Sequence, residues 1–160
     1  MRAVTETEFA GTQGGVELRF TPSALDVRHD ITLDAGRRRV FDALLHTAAW
    51  WPDRIRSGAN VVLEPRVGGR FFESYDDGCG ILLGQVARLV TPDEFAIEGS
   101  FGLDGPTYAL WTLRLDADGQ NRTVLHARYR AFGALDEQTR ADSPASWDAR
   151  YAALRHYLDA

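Results

Sequence analysis

The chain contains no lysine: every one of its 18 basic side chains is arginine. Lysine nucleophiles, and Schiff-base chemistry on a lysine amine, are therefore excluded. Cysteine is almost absent. Cys79 stands alone, so neither an intrachain disulfide nor a multi-cysteine zinc site can form. The four histidines, His29, His46, His126 and His156, show no spacing that sets two on one helix face, and no HExxH run occurs. No metal and no cofactor are expected. Long apolar runs are missing as well, and nothing approaches the ~20 residues needed to cross a bilayer. Met1 to Phe20 lacks the charged start and continuous apolar stretch of a secretory leader. The expectation is a cytoplasmic protein without membrane contact. A basic surplus is lacking too: 23 acidic side chains outweigh the arginines, giving a formal net charge of −5 and a pI near 5.3. Proteins that track phosphates usually carry a basic face, so nucleic acid is not an expected partner.

What the chain does have is an ordinary globular composition, 44% apolar and 11% aromatic over 160 residues. That suffices for one domain with a core, or a core plus a cavity. The domain is expected to span 25–160, after an extension (1–24) in which only Val16, Leu18 and Phe20 alternate like a strand. Leu25, Val27, His29, Ile31 and Leu33 then alternate with polar residues, the period of a half-buried strand. The period changes at Val40, Phe41, Leu44, Leu45 and Ala48, which form one face at helical spacing, with Asp34 as the expected N-cap. Arg37, Arg38 and Arg39 sit in the first turn, where the helix dipole disfavours cations. Trp50-Trp51-Pro52 closes the segment, because a residue before proline is pushed out of the helical region. Six more strands follow at 60–65, 69–76, 81–90, 94–101, 107–115 and 122–132, with turns at Asp77-Gly78, Pro92-Asp93, Asp104-Gly105 and Asp118-Gly119. Ser143 as N-cap and Pro144 at the first helical position open a last helix, whose apolar stripe is Trp147, Tyr151, Leu154 and Leu158.

This order predicts an α+β protein: a curved seven-stranded antiparallel sheet wrapped around one long C-terminal helix, with two short helices after the first strand. A single helix cannot fill the concavity of seven strands, so a cleft between helix and sheet is expected. Strand parity assigns its lining. Phe71, Glu73 and Tyr75 come from one strand, Trp111 and Tyr129 from two others, and Trp147 and Tyr151 from the closing helix. Trp50 or Trp51 stands at the mouth. Such a lining, aromatic with a few polar points, suits a small hydrophobic molecule.

Reactive motifs are sparse. Gly99-Ser100-Phe101-Gly102 lacks the spacing of a nucleophile elbow, and the glycines around Cys79 lead into a strand rather than a phosphate-cradling helix. Glu73 is the exception: a carboxylate among aromatics would have its pKa raised by desolvation, toward the range useful for proton transfer. With Tyr75 or Tyr129 it is the candidate acid/base group if the protein is an enzyme.

Several segments in order carry a resemblance. They are Ile31-Thr32-Leu33-Asp34-Ala35, Arg39-Val40-Phe41-Asp42-Ala43-Leu44, Trp50-Trp51-Pro52, Gly68-Gly69-Arg70-Phe71 and Thr123-Val124-Leu125. Residues 25–159 so marked resemble the START-like, or polyketide-cyclase and pollen-allergen-like, helix-grip superfamily, and within it the activator-of-heat-shock-ATPase homology branch. Tyr129 stands where that branch often has histidine, and Gly36 where proline is common. Val27-Arg28-His29-Asp30-Ile31-Thr32-Leu33, Trp50-Trp51-Pro52 and Gly68 to Glu73 are further similar to the self-sacrifice resistance proteins of enediyne antibiotic clusters, of the calicheamicin type. That likeness implies an actinobacterial producer, a large natural product in the cleft, and cleavage of the protein's own backbone at a glycine. A diradical would take a Cα hydrogen there. Gly99, Gly102 and Gly105 are the candidates.

Three functions follow as expectations. The leading one is non-catalytic binding of an aromatic, polyketide-like or enediyne natural product, serving self-resistance by sequestration or self-sacrifice, in a monomer or weak homodimer. The second is a cyclase or dehydratase-like enzyme built on Glu73 and a tyrosine. The third, implied by the branch resemblance alone, is a co-chaperone-type interaction protein.

Overall fold

The computed structural model describes residues 21–160, so the strand-like alternation of Val16, Leu18 and Phe20 lies outside the described residues. The elements run β1 (Ser23–Leu33), α1 (Arg37–Leu45), α2 (Thr47–Trp50), β2 (Asn60–Leu63), β3 (Arg70–Ser74), β4 (Gly80–Val90), β5 (Glu94–Gly99), β6 (Thr107–Ala117), β7 (Thr123–Gly133) and α3 (Glu137–Asp159). The seven strands form one antiparallel sheet in the order β1-β7-β6-β5-β4-β3-β2. Strands β2 to β7 are a meander, and β1 returns to pair with β7 from Ser23 opposite Gly133 to Leu33 opposite Thr123. The sheet curves over α3, whose buried stripe is Trp147, Tyr151, Leu154 and Leu158, as the spacing predicted.

Two helix starts differ from expectation. Gly36, not Asp34, caps α1, and it offers no side-chain hydrogen bond. The three arginines of the first turn escape the dipole conflict by reaching sideways. Arg37 Nη1 donates to Asp93 at 2.7 Å, Arg38 Nε to Asp42 at 3.0 Å, and Arg39 Nη2 to the Leu158 carbonyl at 2.7 Å. The last of these meets the negative end of α3. Helix α3 itself starts at Glu137, six residues before the expected cap, because Asp136 accepts the Thr139 amide at 2.7 Å. Ser143 and Pro144 are therefore inside the helix. Proline's fixed φ is helical, but the missing amide forfeits one hydrogen bond and the ring crowds the carbonyl one turn earlier. Trp51 does leave the helical region before Pro52, at φ −60° and ψ 117°.

Both irregularities of the sheet fall on β4. The register skips a residue opposite Phe71/Phe72 and again between Val86 and Arg88. Bulges bend the strand that carries the extra residue, so β3 keeps its parity, and Phe71 and Glu73 both point inward and are buried. At the end of the sheet near Leu33 and Thr123 the interior is solid. Val40, Phe41 and Leu44 of α1 join Leu33, Leu115, Leu125, Leu154 and Leu158 in one buried cluster. Among the described residues no helix is long and apolar enough to cross a membrane, and no group of His, Cys, Asp and Glu could hold a metal ion.

Candidate functional site

At the opposite end of the sheet, α1 and α2 no longer reach, and a cleft of about 420 Å³ opens between α3, the sheet and the 51–55 loop. Its aromatic wall is Trp51, Phe101, Tyr129 and Trp147. These rings hold one another: Tyr129 and Trp147 lie 4.7 Å apart, Phe101 and Tyr129 5.3 Å edge-on, and Trp51 and Trp147 6.0 Å edge-on. Leu25, Ile55, Leu83 and Leu103 complete the apolar lining. The polar side comes from the first turns of α3, where Thr139, Asp142, Ser143, Ser146 and Arg150 follow helical spacing along one face.

Four expected lining residues border the cleft: Trp51, Glu73, Tyr129 and Trp147. Five others lie behind it or beside it. Trp50 is buried, with its indole N–H on the Ala43 carbonyl at 2.8 Å. Phe71 is sealed in the core, edge-on to Trp51 at 5.2 Å. Trp111 donates to the Tyr151 hydroxyl at 3.1 Å, so that buried pair backs the aromatic wall. Tyr75 sits outside, half-buried, with the Arg56 guanidinium 4.7 Å from its ring. Burial and then the Glu73 carboxylate push its hydroxyl pKa up.

Glu73 is 1% exposed, and its carboxylate accepts the Ile55 amide at 2.6 Å and the Arg56 amide at 3.3 Å. It pins the loop that forms one lip of the cleft. Tyr129 is different: among the described residues its hydroxyl has no hydrogen-bond partner, and it is not sealed from the cleft. Burial pushes its pKa up to about 12, with Arg150 pulling weakly the other way, so it is a neutral donor at any ordinary pH. His29 contacts Asp148 at 2.9 Å and is not in the lining.

The three glycine candidates separate. An added Cβ at Gly102 would strike Ile55 Cδ1 at 2.3 Å and approach Leu83 Cδ2 at 3.4 Å, both cleft residues, and Gly102 sits between Phe101 and Leu103 of the lining. Gly99 lies instead against the β4 backbone at Gly84, and Gly105 against Ala134.

Sequence reading missed Phe101, because it follows β5 in a turn at φ 53°, where strand parity no longer applies. It missed Leu83 because of the β4 bulge. Arg150, three residues beyond Trp147, shares its helix face, and a helix capped by Asp136 sets the whole polar stripe 139-142-143-146-150 on that face.

No family model matches the chain, and no curated protein matches it by sequence. Solved structures do. An uncharacterized protein from Rhizobium leguminosarum is 16% identical with a TM-score of 0.67, over 89% of this chain and 99% of that one. Norcoclaurine synthase from Thalictrum flavum, in complex with dopamine and hydroxybenzaldehyde, is 12% identical with a TM-score of 0.59, over 86% and 87%. CalU16 from Micromonospora echinospora is 18% identical with a TM-score of 0.55, over 86% of each chain. The likeness is one of architecture: the chain has the helix-grip fold.

Proposed function

We propose that the protein binds a hydrophobic aromatic natural product, of polyketide or enediyne type, in the cleft between α3 and the open end of the sheet. The observation that carries this reading is the aromatic wall of Trp51, Phe101, Tyr129 and Trp147 standing beside open space, with the Tyr129 hydroxyl left unpartnered. A packed core would have filled that space and paired that hydroxyl. The norcoclaurine synthase neighbour was solved with two small aromatics, which supports the same use of the fold here. Binding serves self-resistance, by sequestration or by sacrifice of the chain. For sacrifice, Gly102 is the position at which an added Cβ would meet the cleft residues Ile55 and Leu83.

The test is incubation with a panel of polycyclic natural products, including a thiol-activated enediyne, read by native and then denaturing mass spectrometry. A non-covalent adduct is expected, and backbone scission beside Gly102 marks self-sacrifice. Absence of any adduct or scission overturns the reading.

An enzymatic reading has one observation in its favour: Glu73 and Tyr129 both border the cleft. It requires that Glu73→Gln abolish turnover of a bound ligand while leaving its affinity intact. Glu73 as loop anchor predicts the reverse, weaker binding and no turnover to lose.

A further inference from the structure

We propose that Arg150 makes the cleft selective for an aromatic ligand bearing an ionised oxygen, a carboxylate or a phenolate, over a neutral ligand of the same shape. This rests on the cleft-binding reading above and names the chemistry of its ligand. Arg150 rises from α3 with its guanidinium 4.5 Å from the Trp147 ring and 5.0 Å from the Trp51 ring. The side chain is 18% exposed. Nε donates to Asp53 Oδ2 at 2.6 Å, which fixes the plane of the group. A guanidinium carries five N–H bonds, and among the described residues only the one on Nε is used. Among the described residues Nη1 and Nη2 meet no acceptor, and neither is sealed from solvent. They present a pair of free donors at the cleft wall, on a side chain held by Asp53 and by two indole rings.

Three of the remaining charges of the lining are largely committed, and the fourth, Asp142, lies exposed at the rim and accepts from Gln138 Nε2 at 2.8 Å. Arg54, the other cation of the lining, donates to the backbone carbonyls of Trp51, Asp53 and Ala59. Glu73 holds the Ile55 and Arg56 amides, and Asp53 holds Arg150 itself. Along the aromatic wall the groups without a partner among the described residues are donors, the Arg150 Nη atoms and the Tyr129 hydroxyl, and they ask for an acceptor. Planar guanidinium donors match a carboxylate two-to-two, and charge-assisted bonds of this kind are about twice as strong as neutral ones. Because the indoles fix the fork before binding, little ordering is left for the ligand to impose.

The experiment titrates the full chain with anthraquinone-2-carboxylate and with anthraquinone-2-carboxamide, following tryptophan fluorescence and confirming by calorimetry. The carboxylate should bind at least about tenfold tighter than the amide, the ratio expected of one hydrogen bond to a charged group. In Arg150→Gln that preference should fall to near unity while the amide still binds. Arg150→Lys, which keeps the stem and the charge but not the fork, should retain an intermediate preference and covers the case in which the glutamine variant does not fold. Asp53→Asn, which removes the competing carboxylate, should raise the preference. Equal binding of both probes by the wild-type protein overturns the proposal and leaves cleft binding standing, as does a full preference in both Arg150 variants. Failure of both probes to bind overturns the cleft reading and this proposal together.

Discussion

The two ends of the interior lie between the same sheet and the same helix, yet they are filled differently. Near Leu33 the contents are aliphatic and sealed: Val40, Leu44, Leu125 and Leu154 are all 0% exposed. Near Leu25 they are aromatic, partly open and bordered by Asp53, Ser146 and Arg150. The cause is the reach of α1 and α2. They cover the first end, and the chain then leaves at Trp51-Pro52 before covering the second. The difference teaches that the cleft is a consequence of where a short crossover stops, and that its aromatic wall is buttressed by rings behind it rather than by a second helix in front.

The sharpest way to break this contrast is to truncate one ring at each end. Phe41→Ala at the sealed end should lower stability by about 3–5 kcal/mol, since the cavity cannot collapse. Phe101→Ala at the open end should lower it by about 1 kcal/mol, as expected where solvent already reaches the ring, and weaken aromatic ligands instead. Chemical denaturation of both variants checks this, and equal losses would mean that the open end is ordinary core. Glu73→Gln comes next. Replacing a charged acceptor of two backbone amides should cost about 1–3 kcal/mol, and hydrogen exchange at Ile55 and Arg56 should accelerate ahead of the sealed end.

The two buried tyrosines give a finer comparison. Tyr151→Phe strands the Trp111 indole N–H and should cost about 1–2 kcal/mol, whereas Tyr129→Phe removes a hydroxyl without a partner among the described residues and should be nearly neutral. Unfolding midpoints of the two variants decide it. The smallest effect is alkaline. Burial lifts the Tyr129 pKa from 10 to about 12 and lifts Tyr151 further. The folded state holds these protons more tightly than the unfolded chain, so their contribution is complete below pH 10 and is lost as the pH rises through 12. Phenolate absorbance at pH 11 should therefore be smaller in the native protein than in denaturant, and Tyr129→Phe should reduce that difference.

Much of the frame was legible in advance. Alternation from Leu25 to Leu33 marked β1, the Asp-Gly pairs marked the turns, and the 147-151-154-158 stripe marked the buried face of α3. Local chemistry misled only at the helix starts. Asp34 and Ser143 are good caps by residue type, but Gly36 and Asp136 hold those positions, and with Asp136 the polar stripe of α3 came into the cleft. Parity then told which side of a strand a residue faces, but not how deep it lies: Phe71, Trp111 and Tyr129 share the concave face, and only Tyr129 meets open space.

The sequence by itself determined the order of elements, their apolar faces and hence the sheet closed by a helix, because these depend on periodicities that neighbouring residues express together. Tertiary structure alone decided where the interior stays open and what borders it. Arg150 meets Asp53 across 97 residues and lies against two tryptophans from different elements. Such an encounter is fixed by the bend of the sheet and the stopping point of a helix, and neither is written at the residues that meet.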